Sequence, residues 1–149
     1  MNAIRTYVVG AVVLGLIACI VSIAFGGHPS QVHTIVGLVL DAVFLVWAFL
    51  AGRAAKRQGG KPMWTGALTG AVYGFVEALA GFFIHIDASV FKGTNLPPDQ
   101  VARAVEISNS TWAHVLAVVA AVLEMGVLGL IAGLIGGAMT RREGDANDV

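Results

Sequence analysis

The sequence predicts an all-α, polytopic integral membrane protein with four transmembrane helices packed as a glycine-rich bundle. Three observations lead there. The chain is 57% hydrophobic and only 12% charged, against about 25% charged in a soluble domain, and its mean hydropathy is +0.82. Its apolar residues fall into four runs, each close to the roughly 20 residues that a helix needs to cross a bilayer. Glycines recur through those runs at spacings that line up on one helix face. With four such runs in 149 residues, the chain reads as a single membrane domain.

The first span is expected over about residues 7–25. It is followed by a break at Gly26-Gly27-His28-Pro29, with Ser30 as the N-cap of the next helix. The second span covers about 32–51. The third covers about 64–86, after the turn Gly59-Gly60-Lys61-Pro62, and the fourth covers about 112–139. Between the last two lies the only sizeable extramembrane piece, the loop 87–111. Pro97-Pro98-Asp99 starts a short interfacial helix there, leading toward the fourth span. Val101, Val105 and Ser108 lie on one side of it, and Arg103 and Glu106 on another. Asn109-Ser110-Thr111 matches a glycosylation acceptor, relevant only in a eukaryotic host.

Lysine and arginine set the orientation. Arg5, Arg53, Lys56, Arg57, Lys61, Arg141 and Arg142 fall on one side of a four-span chain, and Lys92 and Arg103 on the other. The expectation is therefore cytoplasmic termini, a cytoplasmic tail 140–149 and an external loop 87–111. The N-terminus allows a second reading. Arg5, an apolar run and Leu16-Ile17-Ala18-Cys19 resemble a bacterial lipoprotein signal, cleaved before a lipid-bearing cysteine. The apolar run continues through Phe25, longer than a secretory signal core, so an intact first helix is preferred. Val13-Leu14-Gly15-Leu16-Ile17-Ala18 recurs as Val127-Leu128-Gly129-Leu130-Ile131-Ala132, but in helices of opposite direction. The match reads as shared composition rather than a repeat.

Small residues let helix backbones approach in lipid. In the third helix Gly66, Gly70 and Gly74 form a doubled GxxxG, with Tyr73, Glu77 and Gly81 on or beside the same face. The fourth carries Gly126, Gly129, Gly133 and Gly137, the second Gly37, Asp41, Ala48 and Gly52, and the first Gly15, Cys19, Ser22 and Gly26.

Three acids, Asp41, Glu77 and Glu124, interrupt segments otherwise apolar enough to span. A charged carboxylate at the bilayer centre costs about 2.5–3.5 kcal/mol on insertion scales. Asp41 and Glu124 lie near the middle of their spans, and Glu77 about 3 Å outward of the middle of its own at 1.5 Å per residue. The three are therefore expected to share a depth. Asp41 and Glu77 lie on small-residue faces. Glu124 lies opposite its helix's glycines, with Ala113, Ala117, Ala120 and Ala121, on a face suited to another subunit. No lysine or arginine occurs at this depth, and desolvation of an unpaired carboxyl favours its neutral form. This points to a proton or ion site of Asp41, Glu77, Glu124 and Tyr73 in a proton-coupled transporter or channel-like protein. The alternative is a non-catalytic structural or accessory subunit whose acids hydrogen-bond between helices.

The histidines give a third reading. His28, His33, His85 and His114, with Asp87, would all lie at the external face, where imidazole could bind a metal or haem. Their spacings match no ligand motif, so no cofactor is expected. There is no phosphate loop, dinucleotide fingerprint, nucleophile elbow or paired-cysteine site, and the balance leans away from an enzyme. No basic stripe suggests nucleic acid. The expected partners are the lipid bilayer and further copies of the chain or other membrane subunits.

The run Ala51-Gly52-Arg53-Ala54-Ala55-Lys56-Arg57, followed by Gly66-Ala67-Leu68-Thr69-Gly70, resembles small bacterial membrane proteins with glycine-rich helix pairs. It lies within residues 51–70, about an eighth of the chain, and implies a bacterial inner-membrane location but no activity. The chain does not resemble the small multidrug exporters, which carry an acid in the first helix.

Overall fold

The structure, a computed structural model, describes residues 3–25 and 31–140. The break Gly26–Pro29, the Ser30 cap, His28 and the tail from Arg141 lie outside them. The described residues form five α-helices and two short 3-10 turns, with no strand among them: α1 (Ala3–Ala24), α2 (Gln31–Arg57), α3 (Pro62–Ala78), a 3-10 turn (Leu79–Phe82), a second (Ala88–Phe91), α4 (Pro98–Ser108) and α5 (Thr111–Ala138). Three of the helices, α1, α2 and α5, are long and apolar enough to cross a membrane.

Helix ends follow local chemistry. α2 runs six residues beyond the expected boundary, through Ala54, Ala55, Lys56 and Arg57, all good helix formers. It closes in a Schellman motif: Gly59 takes φ +71°, its N–H donates to the Lys56 carbonyl at 3.1 Å, and the Gly60 N–H to the Ala55 carbonyl at 2.8 Å. Lys56 and Arg57 sit in the last turn, where cations suit the helix dipole. α3 then opens with proline in its first turn.

α3 is shorter than the expected span. Its α-helix stops at Ala78, tightens into the 3-10 turn, and the chain is non-helical over 84–87. The cause is distant in sequence. The Asn109 side chain accepts from the Ile86 N–H at 2.9 Å and donates to the Ile86 carbonyl at 2.7 Å, filling both backbone groups that a helix would have used. Asn109 also bonds the Val105 carbonyl at 2.9 Å, so the amide of the sequence acceptor is fully engaged. α4 does not run on into α5. Ser110 separates them and caps α5, its hydroxyl accepting from the Ala113 N–H at 3.2 Å.

The centre of the bundle is α3, packed most extensively on α5 and also on α1 and α2. Its row Pro62, Gly66, Gly70, Gly74 runs antiparallel along Gly137, Gly133, Gly129, Met125 and Ala121 of α5. Both rows step by four residues, so the i±4 ridge of one helix lies on that of the other. A Cβ at Gly70 would overlap the Met125 carbonyl oxygen, and one at Gly66 the Gly129 carbonyl oxygen. Gly126 lies beside the row, not on it, and a Cβ there meets nothing nearer than 3.9 Å. Gly81 is similarly loose, and at Gly37 nothing lies within 4 Å, so these three are not close-approach positions. Gly136, off the expected stripe, is one: it lies against the Phe49 carbonyl of α2.

The interior is made of small residues. Ala11, Ala18, Ala48, Ala51, Ala55 and Ala80 are buried, and the largest fully buried side chains are Tyr73, Phe44 and Thr69. Thr69 satisfies its hydroxyl on the Thr65 carbonyl one turn back, at 2.7 Å. The large aliphatic side chains point outward along α1, α2 and α5, the reverse of a water-soluble core.

Candidate functional site

α2 and α3 carry the site. Tyr73 follows Gly70 by three residues and Glu77 follows Tyr73 by four, so all three lie close together on one face of α3. The glycines around Tyr73 let α5 lie close to the α3 backbone. Gly15 does the same for α1, since a Cβ there would sit 2.9 Å from Val76 and 3.0 Å from the Tyr73 carbonyl. Tyr73 is thereby fully buried. Its ring stacks on Phe44 of α2, centroids 4.4 Å apart and planes 11° from parallel. Phe44 follows Asp41 by three residues, so the stack brings the Tyr73 hydroxyl to the Asp41 carboxyl, to which it donates at 3.0 Å.

Asp41 and Glu77 are both half-buried. Glu77 lies within electrostatic reach of Asp41 and of Glu124, and Tyr73 within reach of Asp41 and Glu77. Asp41 of α2 and Glu77 of α3 thus flank the buried Tyr73, and Glu124 of α5 is within reach of Glu77. Glu124 contributes from the edge, because its side chain is exposed on the outer surface of α5. No lysine or arginine occurs in 6–52, 62–91 or 104–140, and the nearest cation to Asp41 along its own helix is Arg53, about 18 Å further on.

A carboxyl oxygen accepts a hydrogen bond whether the group is ionised or neutral. Asp41 Oδ1 can thus hold the Tyr73 hydroxyl in either state, and Oδ2 takes no part in that bond.

Among the described residues His33, His85, His114 and Asp87 form no group placed to hold a metal ion. His33 stacks on Phe25, ring centroids 5.3 Å apart. His114 lies against Phe82 at 5.2 Å, and His85 is exposed. Asp87 caps the second 3-10 turn by accepting from the Ser89 N–H at 2.7 Å. Among the described residues no group of three or more His, Cys, Asp or Glu side chains is placed to hold a metal ion.

Sequence reasoning missed two contributors. Phe44 fixes the height of Tyr73 against α2; its place three residues after Asp41 was the available signal. Trp47 ties α2 to α1 by donating to the Tyr7 carbonyl at 2.9 Å and packing on the Tyr7 ring. Gly10 provides the room for that indole. No protein-family model, curated protein or solved structure matches this chain.

Proposed function

We propose that the chain is a four-span membrane protein, cytoplasmic at both ends, that moves protons through Asp41, Tyr73, Glu77 and Glu124, alone or coupled to another solute. One observation carries the reading: the Tyr73–Asp41 hydrogen bond between α2 and α3, with Glu77 one turn away and no lysine or arginine in 6–52, 62–91 or 104–140. The proton leaves Asp41 Oδ2 and passes to the Glu77 carboxylate. The Tyr73 bond to Oδ1 survives the transfer and holds Asp41 in place. Glu124, at the rim, exchanges protons with Glu77.

Several features support the bilayer as the solvent. Large apolar side chains lie outside and small ones inside, as expected where lipid supplies no hydrophobic drive and close backbone packing holds helices together. Trp64 and Trp112 are exposed near opposite ends of the bundle, as in interfacial aromatic belts. Gly133 lies opposite Gly66, just beyond Trp64. The rise along α5 from Trp112 to Gly133 is about 32 Å, close to a hydrocarbon core of about 30 Å. α3 with its 3-10 extension rises about 33 Å, enough for a fourth crossing.

The test is proton flux into proteoliposomes under an imposed pH gradient. Wild type is expected to exceed empty vesicles. Asp41→Asn and Glu77→Gln, which keep hydrogen bonding but hold no exchangeable acid proton, are expected to abolish the excess. Full flux in the amide variants would end the proton-site reading.

A second reading is favoured by one observation. Glu124, Ala117 and Ala120 are exposed together on one stripe of α5, a face suited to a second copy of the chain. The chain would then be a structural subunit whose acids specify packing; Glu124→Gln would change assembly size in detergent, and wild type would show no proton flux above empty vesicles.

A further inference from the structure

At the end of α2 nearest Lys61, a groove of about 360 Å³ is lined by Tyr7, Leu50, Arg53, Ala54, Arg57 and Gln58. Two arginines and a glutamine are among its lining residues, and no acid is. The nearest acid earlier on α2 is Asp41, about 18 Å below Arg53 along the helix axis. The Arg53 guanidinium is steadied over the Phe49 ring, 5.9 Å from its centroid.

Two apolar furrows run along α2 beneath this groove and share Val46. One, of about 390 Å³, is lined by Val39, Val43 and Trp47. The other, of about 540 Å³, lies against α5 and includes Phe49, Leu128 and Ile135. Val39, Val43, Val46, Leu50, Arg53 and Arg57 fall on one stripe of α2 at 100° per residue. The first furrow therefore leads up that stripe to the arginines, and the second reaches Arg53 through the Phe49 ring beneath it.

We propose that this surface is a binding site for one anionic phospholipid, its phosphate held by Arg53 and Arg57 and its two acyl chains lying in the furrows. Arginine suits the role, because its planar fork meets phosphate oxygens in pairs. Gln58 adds an amide donor for the headgroup. Charge complementarity selects an anionic headgroup, and the paired furrows select a two-chain lipid over free phosphate. The site is separate from the acids but rests on the bilayer reading above.

The test uses the full chain in mild detergent, with bound lipid counted by native mass spectrometry. Phosphatidylglycerol and phosphatidylcholine are added separately, and inorganic phosphate is added as competitor. Wild type is expected to retain one phosphatidylglycerol in clear preference to phosphatidylcholine. Arg57→Gln is expected to weaken that binding roughly fivefold, and Arg53→Gln with Arg57→Gln roughly 25-fold, at the strength of one basic residue near an anionic surface. Lys56→Gln with Lys61→Gln, an equal change of charge off the groove, is expected to leave it unchanged. Should the double arginine variant fail to fold, Arg57→Gln alone carries the test, because its side chain is exposed. Equal binding of the two lipids, equal loss in the lysine variant, or displacement by inorganic phosphate would overturn the lipid site. Recovery of the chain without detergent would instead overturn the bilayer reading.

Discussion

At the scale of single residues, the bond between Tyr73 and Asp41 separates the two roles open to these side chains. A buried phenol needs an acceptor, and Asp41 provides one at 3.0 Å. If that were its whole purpose, any acceptor would serve, and Asp41→Asn would behave as wild type in every respect. Tyr73→Phe removes the donor and leaves the ring stack on Phe44 in place. It is expected to cost about 0.6–1.7 kcal/mol, the range of interhelical hydrogen bonds in lipid, measured by reversible unfolding in detergent micelles. In the proton-site reading the same variant also slows flux, since Asp41 loses the contact that fixes its position. Loss of stability with flux unchanged would leave Tyr73 as packing alone. Sequence alone could place Tyr73 and Glu77 on one face of α3 from their spacing. It could not pair Tyr73 with Asp41, because the height of α2 against α3 is set by Phe44 and by the glycines of three helices together.

At the scale of elements, the helix boundaries show which signals act locally. The end of α2 was legible, if six residues early, because Gly59 and Gly60 announce the turn. The end of α3 was not, because Leu79 to Ile86 remains apolar and the group that unwinds it, Asn109, belongs to another element. The same division governs glycine. Spacing marks Gly66, Gly70 and Gly74 as a row, but only the crossing of α3 and α5 decides which partners they meet. Gly129 and Gly133 are used, Gly126 is passed by, and Gly136 turns to α2. Gly70→Leu is therefore expected to break assembly of the bundle, since even a Cβ overlaps the Met125 carbonyl. Gly37→Ala is expected to be neutral or to stabilise by up to about 1 kcal/mol, the helix-propensity gain over glycine, because nothing lies near it. Thermal unfolding in detergent compares the two. Equal tolerance at both positions would mean that the α3–α5 contact does not hold the bundle together.

At the scale of the whole molecule, everything proposed for the acids and the lipid groove depends on how many times the chain crosses the membrane. α1, α2 and α5 have the length and apolarity for it; α3 needs its 3-10 extension to reach across. The parity of crossings follows from that one element. If α3 spans, the turn at Gln58 and the loop at Thr94 lie on opposite faces. If it does not, they share a face, and Asp41, Glu77 and Glu124 no longer meet within the bilayer. Single cysteines at Gln58 and Thr94, placed in a Cys19→Ser background, report this directly when intact cells are treated with a membrane-impermeant maleimide. Thr94→Cys is expected to label from outside, and Gln58→Cys only after the membrane is opened. Labelling of both, or of neither, before opening would contradict the four-span bundle, and labelling of Gln58→Cys alone would keep the four spans but reverse their orientation.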